Sequence, residues 1–376
     1  MTSRERVLGA LAKTGYDRIP VKHEGTPEIN RALMEYFSLA NEEQLLLVLG
    51  DDFRYVQPIY CGPELKTWPD GSVEGFWGER YGRKPYEGGT YLEPVYLPYA
   101  GVTRVEELDR SHFPRLSWFD FSSIRSQCEA LGGTFAICTG SAGDMDFINT
   151  IGRMRGIEQV LEDLLTENEA FLEIMEARFR FYYALHEAML KAAGGMIDIL
   201  HVGEDLGNQQ GPLISLDMFE RLFAPKYKAI FALAHRYGAK TMMHMCGTVS
   251  AFLPRLIELG LDIQDVVQPT TPEMDIARLQ ERFGDRLVFC GSMCVQSLLP
   301  FGTREDVERE TRRRLDLFPK GGLFLGPTHA IQVGTPIENI LAMYRTAGSL
   351  MEPIEPWVRK AAMSTGDPEF DRFKLF

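Results

Sequence analysis

Long apolar runs are missing from this sequence. Although 45% of the chain is hydrophobic, no stretch approaches the roughly 18–20 consecutive apolar residues that span a bilayer. Basic charge is scarce as well: Lys and Arg number 40 against 53 Asp and Glu, a formal net charge of −13. The densest basic run, Arg312-Arg313-Arg314, is interleaved with acids on an expected helix. Polynucleotide binding calls for a basic face that releases counterions, so a nucleic-acid partner is not expected. Cysteine is sparse too, with six in 376 residues (Cys61, Cys128, Cys138, Cys246, Cys290 and Cys294). The charged opening Met1-Thr-Ser-Arg-Glu-Arg leads straight into a helical pattern and holds no secretory h-region. The cysteines are therefore expected as thiols rather than a disulfide scaffold, in a soluble, cytoplasmic protein with no membrane partner.

What is present is ordinary globular composition, 25% charged with 35 Gly and 21 Pro. Arg4 to Leu11 repeats apolar positions at helical spacing, with Thr2 or Ser3 as cap, and Thr26 can cap a helix from about Pro27 to Tyr36. Asp17 to Val21 reads as a loop entering a short strand. Residues 51–105 are dense in Gly, Pro, Trp and Tyr and read as an irregular β-rich excursion, not a separate domain, because no linker follows. From about residue 130, short apolar strands alternate with helices. Strands are expected at 134–138, 196–202, 241–244, 263–267, 287–290 and 323–325. Helical stretches are expected at 156–193, 215–237, 249–259, 276–283, 304–317 and 337–352. Apolar strands alternating with helices describe a parallel sheet buried on both faces. The length suits one (β/α)8 TIM-type barrel with extensions. A doubly wound open sheet is the alternative, but no G-x-G-x-x-G follows the first strand to support it. Residues 1–350 are read as the barrel and 351–376 as a tail packing on it or on a partner subunit.

In such a barrel the active site forms at the C-terminal ends of the strands. Those positions hold His23-Glu24, Thr139-Gly140-Ser141, Glu204-Asp205, His244-Met245-Cys246-Gly247, Gln268-Pro269, Cys290 to Cys294 and Thr328-His329. The sharpest feature is His244 with Cys246, because side chains at i and i+2 of a continuing strand point the same way. Together they form a soft N/S pair suited to Zn²⁺, and Gly247 permits a sharp turn after them. The pair is also compatible with a buried core. A zinc site needs a third protein ligand, for which His329, Glu204 and the Cys290/Cys294 pair are candidates. Cys290 reads as a buried strand residue and Cys294 as either ligand or core. Glu204 and Asp205 are adjacent, so their side chains diverge: one is expected in the pocket, the other at a turn or a neighbouring base. His201 reads as a hydrogen-bonded core histidine, and His112, His186 and His235 as structural or solvated.

Through His244-Met-Cys-Gly247 and Glu204-Asp-Leu-Gly-Asn-Gln-Gln-Gly-Pro-Leu-Ile-Ser215, the chain resembles the uroporphyrinogen decarboxylase superfamily. Arg4 to Leu11 with Asp17-Arg-Ile-Pro20, Trp77-Gly78, Val105 to Leu108, Gly326 to Gln332 and Thr335 to Ile340 agree with it. The resemblance covers nearly all of residues 3–350 and implies a distorted (β/α)8 barrel. It also implies one of two chemistries. True decarboxylases carry an Arg-rich R-Q-A-G-R segment after the first strand; here Val21-Lys-His-Glu-Gly-Thr-Pro-Glu28 has no arginine and two acids, a poor grip for a polycarboxylate. The corrinoid-linked zinc methyltransferases share H-x-C-G, which carries over to His244 and Cys246. The later Cys of their zinc site does not carry over, since Thr328-His329 stands there, leaving His329 to replace it and Glu204 to complete the shell. Cys294 stands where relatives often have an acid. The resemblance thus implies zinc-dependent methyl transfer between a corrinoid, free or on a corrinoid protein, and a thiol or folate-type small-molecule acceptor. Decarboxylation of a porphyrin-like or other carboxylate, or non-catalytic docking of a corrinoid protein, are the alternatives. Glu204, Asp205 and His329 are the candidate catalytic residues; His23, Trp77, Ser141 and Gln268 are candidates to line the cofactor site, with Trp77 in the segment that forms one rim. The superfamily often forms homodimers.

Overall fold

The computed structural model describes residues 1–361. Seven parallel strands run side by side in the order Phe53–Tyr55, Ala136–Gly140, Ile199–Gly203, Lys240–His244, Ile263–Val267, Val288–Met293 and Leu323–Pro327. The Ile199–Gly203, Ile263–Val267, Val288–Met293 and Leu323–Pro327 strands are buried at every position, as expected of parallel strands covered by helices on one side and a barrel interior on the other.

The ring closes through the segment at Val21. Lys22 N donates to Leu325 O, Leu325 N to Pro20 O, and Asp52 N to Val21 O, so this segment sits between the last strand and the first. The short strand expected after Asp17 is reduced to one parallel bridge, Val21 to Leu325. Pro20 explains part of this, since it has no N–H to donate to a ladder.

Inward-facing residues form layers along the barrel axis. Phe53, Ala136, Cys138, Ile199, Met242, Ile263, Val288, Cys290 and Phe324 pack together with Val7 and Ala10 of the helix Ser3–Ala12. That helix, started by a Thr2/Glu5 capping box, seals the N-terminal end. Two residues beyond Phe53, Ile199, Met242 and Ile263, where the period-2 alternation again points inward, the layer turns polar: Tyr55, His201, His244 and Asp265. An apolar plug beneath and polar groups above set the chemistry at the C-terminal end.

Elsewhere the chain departs from the sequence reading in defined ways. Residues 53–55 belong to the barrel, so the β-rich excursion starts later; its main feature is the antiparallel pair Arg80–Tyr86 and Gly89–Tyr96. The helical stretch 156–193 breaks at Glu167, which takes φ 52°, and Asn168 caps a new helix through Ala170 N and Phe171 N. Within 215–237, Phe219–Phe223 forms a π turn before the helix Ala224–Arg236. Pro225 accounts for the widening, because its ring clashes with the carbonyl four residues back in a regular helix. The helix Glu42–Leu49, capped by Asn41, was not foreseen. Val358 is buried, and Arg359 and Ala361 accept hydrogen bonds from Asn41 and Gln44, so the start of the expected tail packs on the barrel; its residues 362–376 lie outside the described residues. No helix among the described residues is long and apolar enough to cross a membrane.

Candidate metal centre and adjoining cavity

His244 ends its strand and Cys246 follows, with 3.1 Å between Nε2 and Sγ. The turn beyond needs glycine: Gly247 has φ 73°, and a Cβ there would come within 2.5 Å of Asn208 O. Its N–H donates to Gln268 Oε1, while Gln268 Nε2 donates to Gln209 and Gln296. Gln268 is thus buried beneath the turn with its amide fully engaged by protein. His329, after the Leu323–Pro327 strand, reaches over from the rim, its ring centroid 5.9 Å from that of His244. One ligand atom from each of His244, Cys246 and His329 lies within 4.8 Å of the others, and His244 is buried while His329 is exposed.

Beneath this group lies Asp265, fully buried. Its Oδ2 is 3.1 Å from His244 Nδ1 and 3.3 Å from His201 Nε2; its Oδ1 is 3.5 Å from Lys22 Nζ. Tyr55 OH is 3.1 Å from His201 Nδ1. Burial pushes the Asp265 carboxyl up, but the Lys22 ammonium and the two imidazoles outweigh it and hold the group well below the usual carboxylate range. For His244, burial works against protonation, and the Cys246 and Asp265 partners reverse it, raising the imidazole well above its ordinary value. His201, His244 and Asp265 form a second, fully buried group of metal-capable side chains.

A cavity of about 310 Å³ adjoins this network. Lys22 and His201 belong to both, and Trp77, Phe119, Phe181 and Tyr182 supply aromatic walls. His23 and Ser141 line it as well. The ring nitrogens of His23 are already occupied, 2.7 Å from Tyr344 OH and 3.0 Å from Asn30 Oδ1, and burial pushes the imidazole down to about 4. Ser141 Oγ donates to Asp144.

Other expected ligands lie apart from the metal-capable group. Glu204 is buried, and its carboxyl accepts from Phe147 N, Ile148 N and Tyr227 OH. Burial, then the nearby Asp146, raises it well above the usual range. Glu204 therefore ties the loop before Ile148 to the barrel rather than facing His244. Asp205 also neighbours Asp146, and its Oδ1 has no hydrogen-bond partner. Cys294 Sγ sits near Ser297 Oγ, Gln296 N and Thr270 Oγ1; burial pushes its thiol up, and these donors bring it below its ordinary value. Cys290 belongs to the apolar inner layer. His201, read as a hydrogen-bonded core histidine, is buried against Tyr55 and Asp265; Asp265, Lys22 and Tyr55 were missed by sequence reasoning, although the period of two from Ile263 and Phe53 was an available signal for Asp265 and Tyr55.

Residues 83–350 match the family model of uroporphyrinogen decarboxylase (URO-D). No curated protein sequence matches the chain. Among solved structures, a methyltransferase from Methanosarcina mazei is similar in fold with a TM-score of 0.62 at 16% identity, over 93% of this chain and 98% of that one. With the closed barrel and the site at its C-terminal mouth, the match across most of the length gives the conclusion: the chain belongs to the uroporphyrinogen decarboxylase family.

Proposed function

We propose that the protein is a metal-dependent methyltransferase, in which His244, Cys246 and His329 hold a zinc-type ion and a corrinoid supplies the methyl group to a small thiol or folate-type acceptor. The observation that carries this reading is the N₂S group at the barrel mouth. Its donors suit zinc: the His244–Cys246 pair already stands close to the separation that a shared tetrahedral ion requires, and His329 needs only a small side-chain movement from the exposed rim. When bound there, such an ion lowers the pKa of a coordinated thiol or water and offers a nucleophile at neutral pH.

The chain's own residues perform the rest. Asp265 accepts from His244 Nδ1 and leaves Nε2 free to ligate, the carboxylate–histidine arrangement that fixes ring orientation. Lys22 balances the Asp265 charge. The aromatic walls keep water from the acceptor, and the exposed position of His329 leaves the outer face open to a large donor. The methyltransferase similar in fold is in keeping with this reading. Decarboxylation finds less support: Val21 to Glu28 offers no arginine, and Lys22 is paired with Asp265 and Glu24.

The test is elemental analysis of the purified protein and of H244A, C246S and H329A, with methyl transfer from methylcobalamin to a small thiol followed by cobalamin absorbance. The wild type is expected to carry one equivalent of zinc, and each variant to lose most of both metal and turnover. Variants that keep stoichiometric metal and full rate would overturn the reading.

A further inference from the structure

The hairpin Arg80–Tyr86 and Gly89–Tyr96 stands away from the core. Its strands pair from Tyr81 with Pro94 to Tyr86 with Gly89 around a two-residue turn, yet no residue from Gly82 to Tyr96 is buried. A sheet laid on a core would bury one face and alternate. This arm is instead stiffened from within: its ladder runs unbroken to the turn, and the Tyr86 and Tyr91 rings stack at 4.4 Å and 23°.

The two ends of the arm stand on opposite sides of the cavity. At the base, Trp77, Glu79 and Tyr81 line the wall, with Glu79 accepting from Trp77 N and Tyr81 OH. The return strand passes the helix Asn149–Arg155, whose Thr150 also lines the cavity. At the tip, Tyr91 OH donates to Gln332 Oε1 at 2.5 Å, and a Cβ built on Gly88 would lie 3.5 Å from Val333 Cβ. Gln332 and Val333 follow closely on His329. The intervening Ile331 is bonded through its backbone to Glu24 and Thr26, and Glu24 again lines the cavity.

The attachments differ in strength. Trp77, Glu79 and Tyr81 are buried, and the register shifts between Arg80 and Tyr81, a bulge of the kind that bends a strand. The tip is held by an exposed hydrogen bond and a glycine–valine contact, which contribute little in water. An arm that is rigid along its length, bent at its base and lightly fixed at its tip swings as one body.

We propose that this hairpin is a strap across the cavity side of the barrel mouth, latched to the His329 loop through Tyr91 and Gly88, and that ligands reach the cavity when it unlatches. His329 itself stays exposed beside the latch, so the strap controls the cavity and not the outer face. The inference needs neither metal nor methyl transfer, and it goes beyond the function proposed above.

The test places a thiol inside the cavity of the full chain and follows its alkylation by N-ethylmaleimide. Ser141 lines the cavity; a chain carrying S141C with C61S and C246S keeps its other natural thiols buried. The pair G88C/V333C adds a lock, because its Cβ separation suits a disulfide. Labelling at position 141, read by peptide mass spectrometry, is expected to slow about tenfold or more with the lock oxidised and to recover on reduction. Y91A should speed labelling about 2–10-fold, and Y91F likewise, since both lose the latch hydrogen bond. Gly88 has φ 90°, so if the turn rejects cysteine, the two Tyr91 variants decide alone. Equal rates with the lock oxidised and reduced, or an unchanged or slower rate in both Tyr91 variants, overturns the proposal. Zinc content and methyl transfer of the native chain bear only on the activity proposed above.

Discussion

At the scale of single residues, the site depends on a buried carboxylate that touches no solvent. Asp265 stands between Lys22, His201 and His244, so its effect on the metal group is indirect. Truncation in D265A should lower zinc affinity by about 10–100-fold, measured by competition with a chromogenic chelator. D265N should lose less, because an amide oxygen still accepts from Nδ1–H. Wild-type affinity in D265A would show that His244 needs no orienting partner. On the cavity's far side, His23 and Asp51 make an opposed pair, with His23 N donating to Asp51 Oδ2. Burial raises Asp51 from 3.8 to about 6, so its contribution to stability is full below about pH 4 and lost as pH climbs to 6. Burial lowers His23 from 6.5 to about 4, so protonation penalises the fold at low pH and that penalty lifts over nearly the same window. Each shift corresponds to roughly 3 kcal/mol, and the two offset. The H23N variant should uncover the Asp51 slope, its stability falling by about 2–3 kcal/mol relative to the wild type between pH 4 and 6 in urea unfolding. Parallel profiles for the two proteins would rule the compensation out.

At the scale of elements, the loop before Ile148 forms one wall of the cavity, and Glu204 holds it through two amides and Tyr227 OH. E204A leaves the two amides unsatisfied, while Tyr227 OH keeps Gly203 O, and should cost about 2–4 kcal/mol, read by urea denaturation, while zinc content stays near one equivalent. Loss of metal in a folded E204A protein would instead return Glu204 to the ligand shell. Why the sequence misled at Glu204 is instructive. Its position at a strand end marks it as near the mouth, yet strand-end placement does not say whether a side chain turns toward the axis or toward the next loop. Where local and tertiary preferences agreed, elements were legible: Ile263–Val267, Ile276–Phe283 and Arg304–Leu317 fall where the apolar period places them. The break at Glu167–Asn168 was harder, because a single left-handed residue inside continuous helical periodicity leaves no apolar signature. Phe53–Tyr55, three residues long, is too short to stand out from the aromatic excursion that follows it. His244 and Cys246 were readable because both the strand period and the donor types were local; Asp265 matters only through neighbours distant in sequence, Lys22, His201 and His244.

For the whole molecule, closure of the ring positions everything above it, and closure converges on Asp52. Its fully buried carboxylate accepts from Arg6 Nη1 at 2.6 Å, from Arg18 Nη1 at 2.8 Å and from Val21 N at 2.8 Å. Its backbone meanwhile joins Val21 O to Ala136 N. One residue therefore couples the helix that plugs the bottom, the segment that stands in for the eighth strand, and the first two strands of the sheet. Where Pro20 denies that segment a regular ladder, side-chain ion pairs supply the cohesion. Removing the Asp52 charge leaves Arg18 without its carboxylate, while Arg6 keeps Asp17; breaking one side of a buried pair typically costs about 3–5 kcal/mol. D52N should lose that much, with its urea transition remaining single and coincident by far-UV dichroism and tryptophan emission, because a barrel that opens at one seam has no closed sheet left to retain. Loss of under about 1 kcal/mol would mean that the ring is held by strand packing and the plug alone. Separate dichroism and emission transitions would mean that the cavity side, which carries Trp77, unfolds apart from the seam.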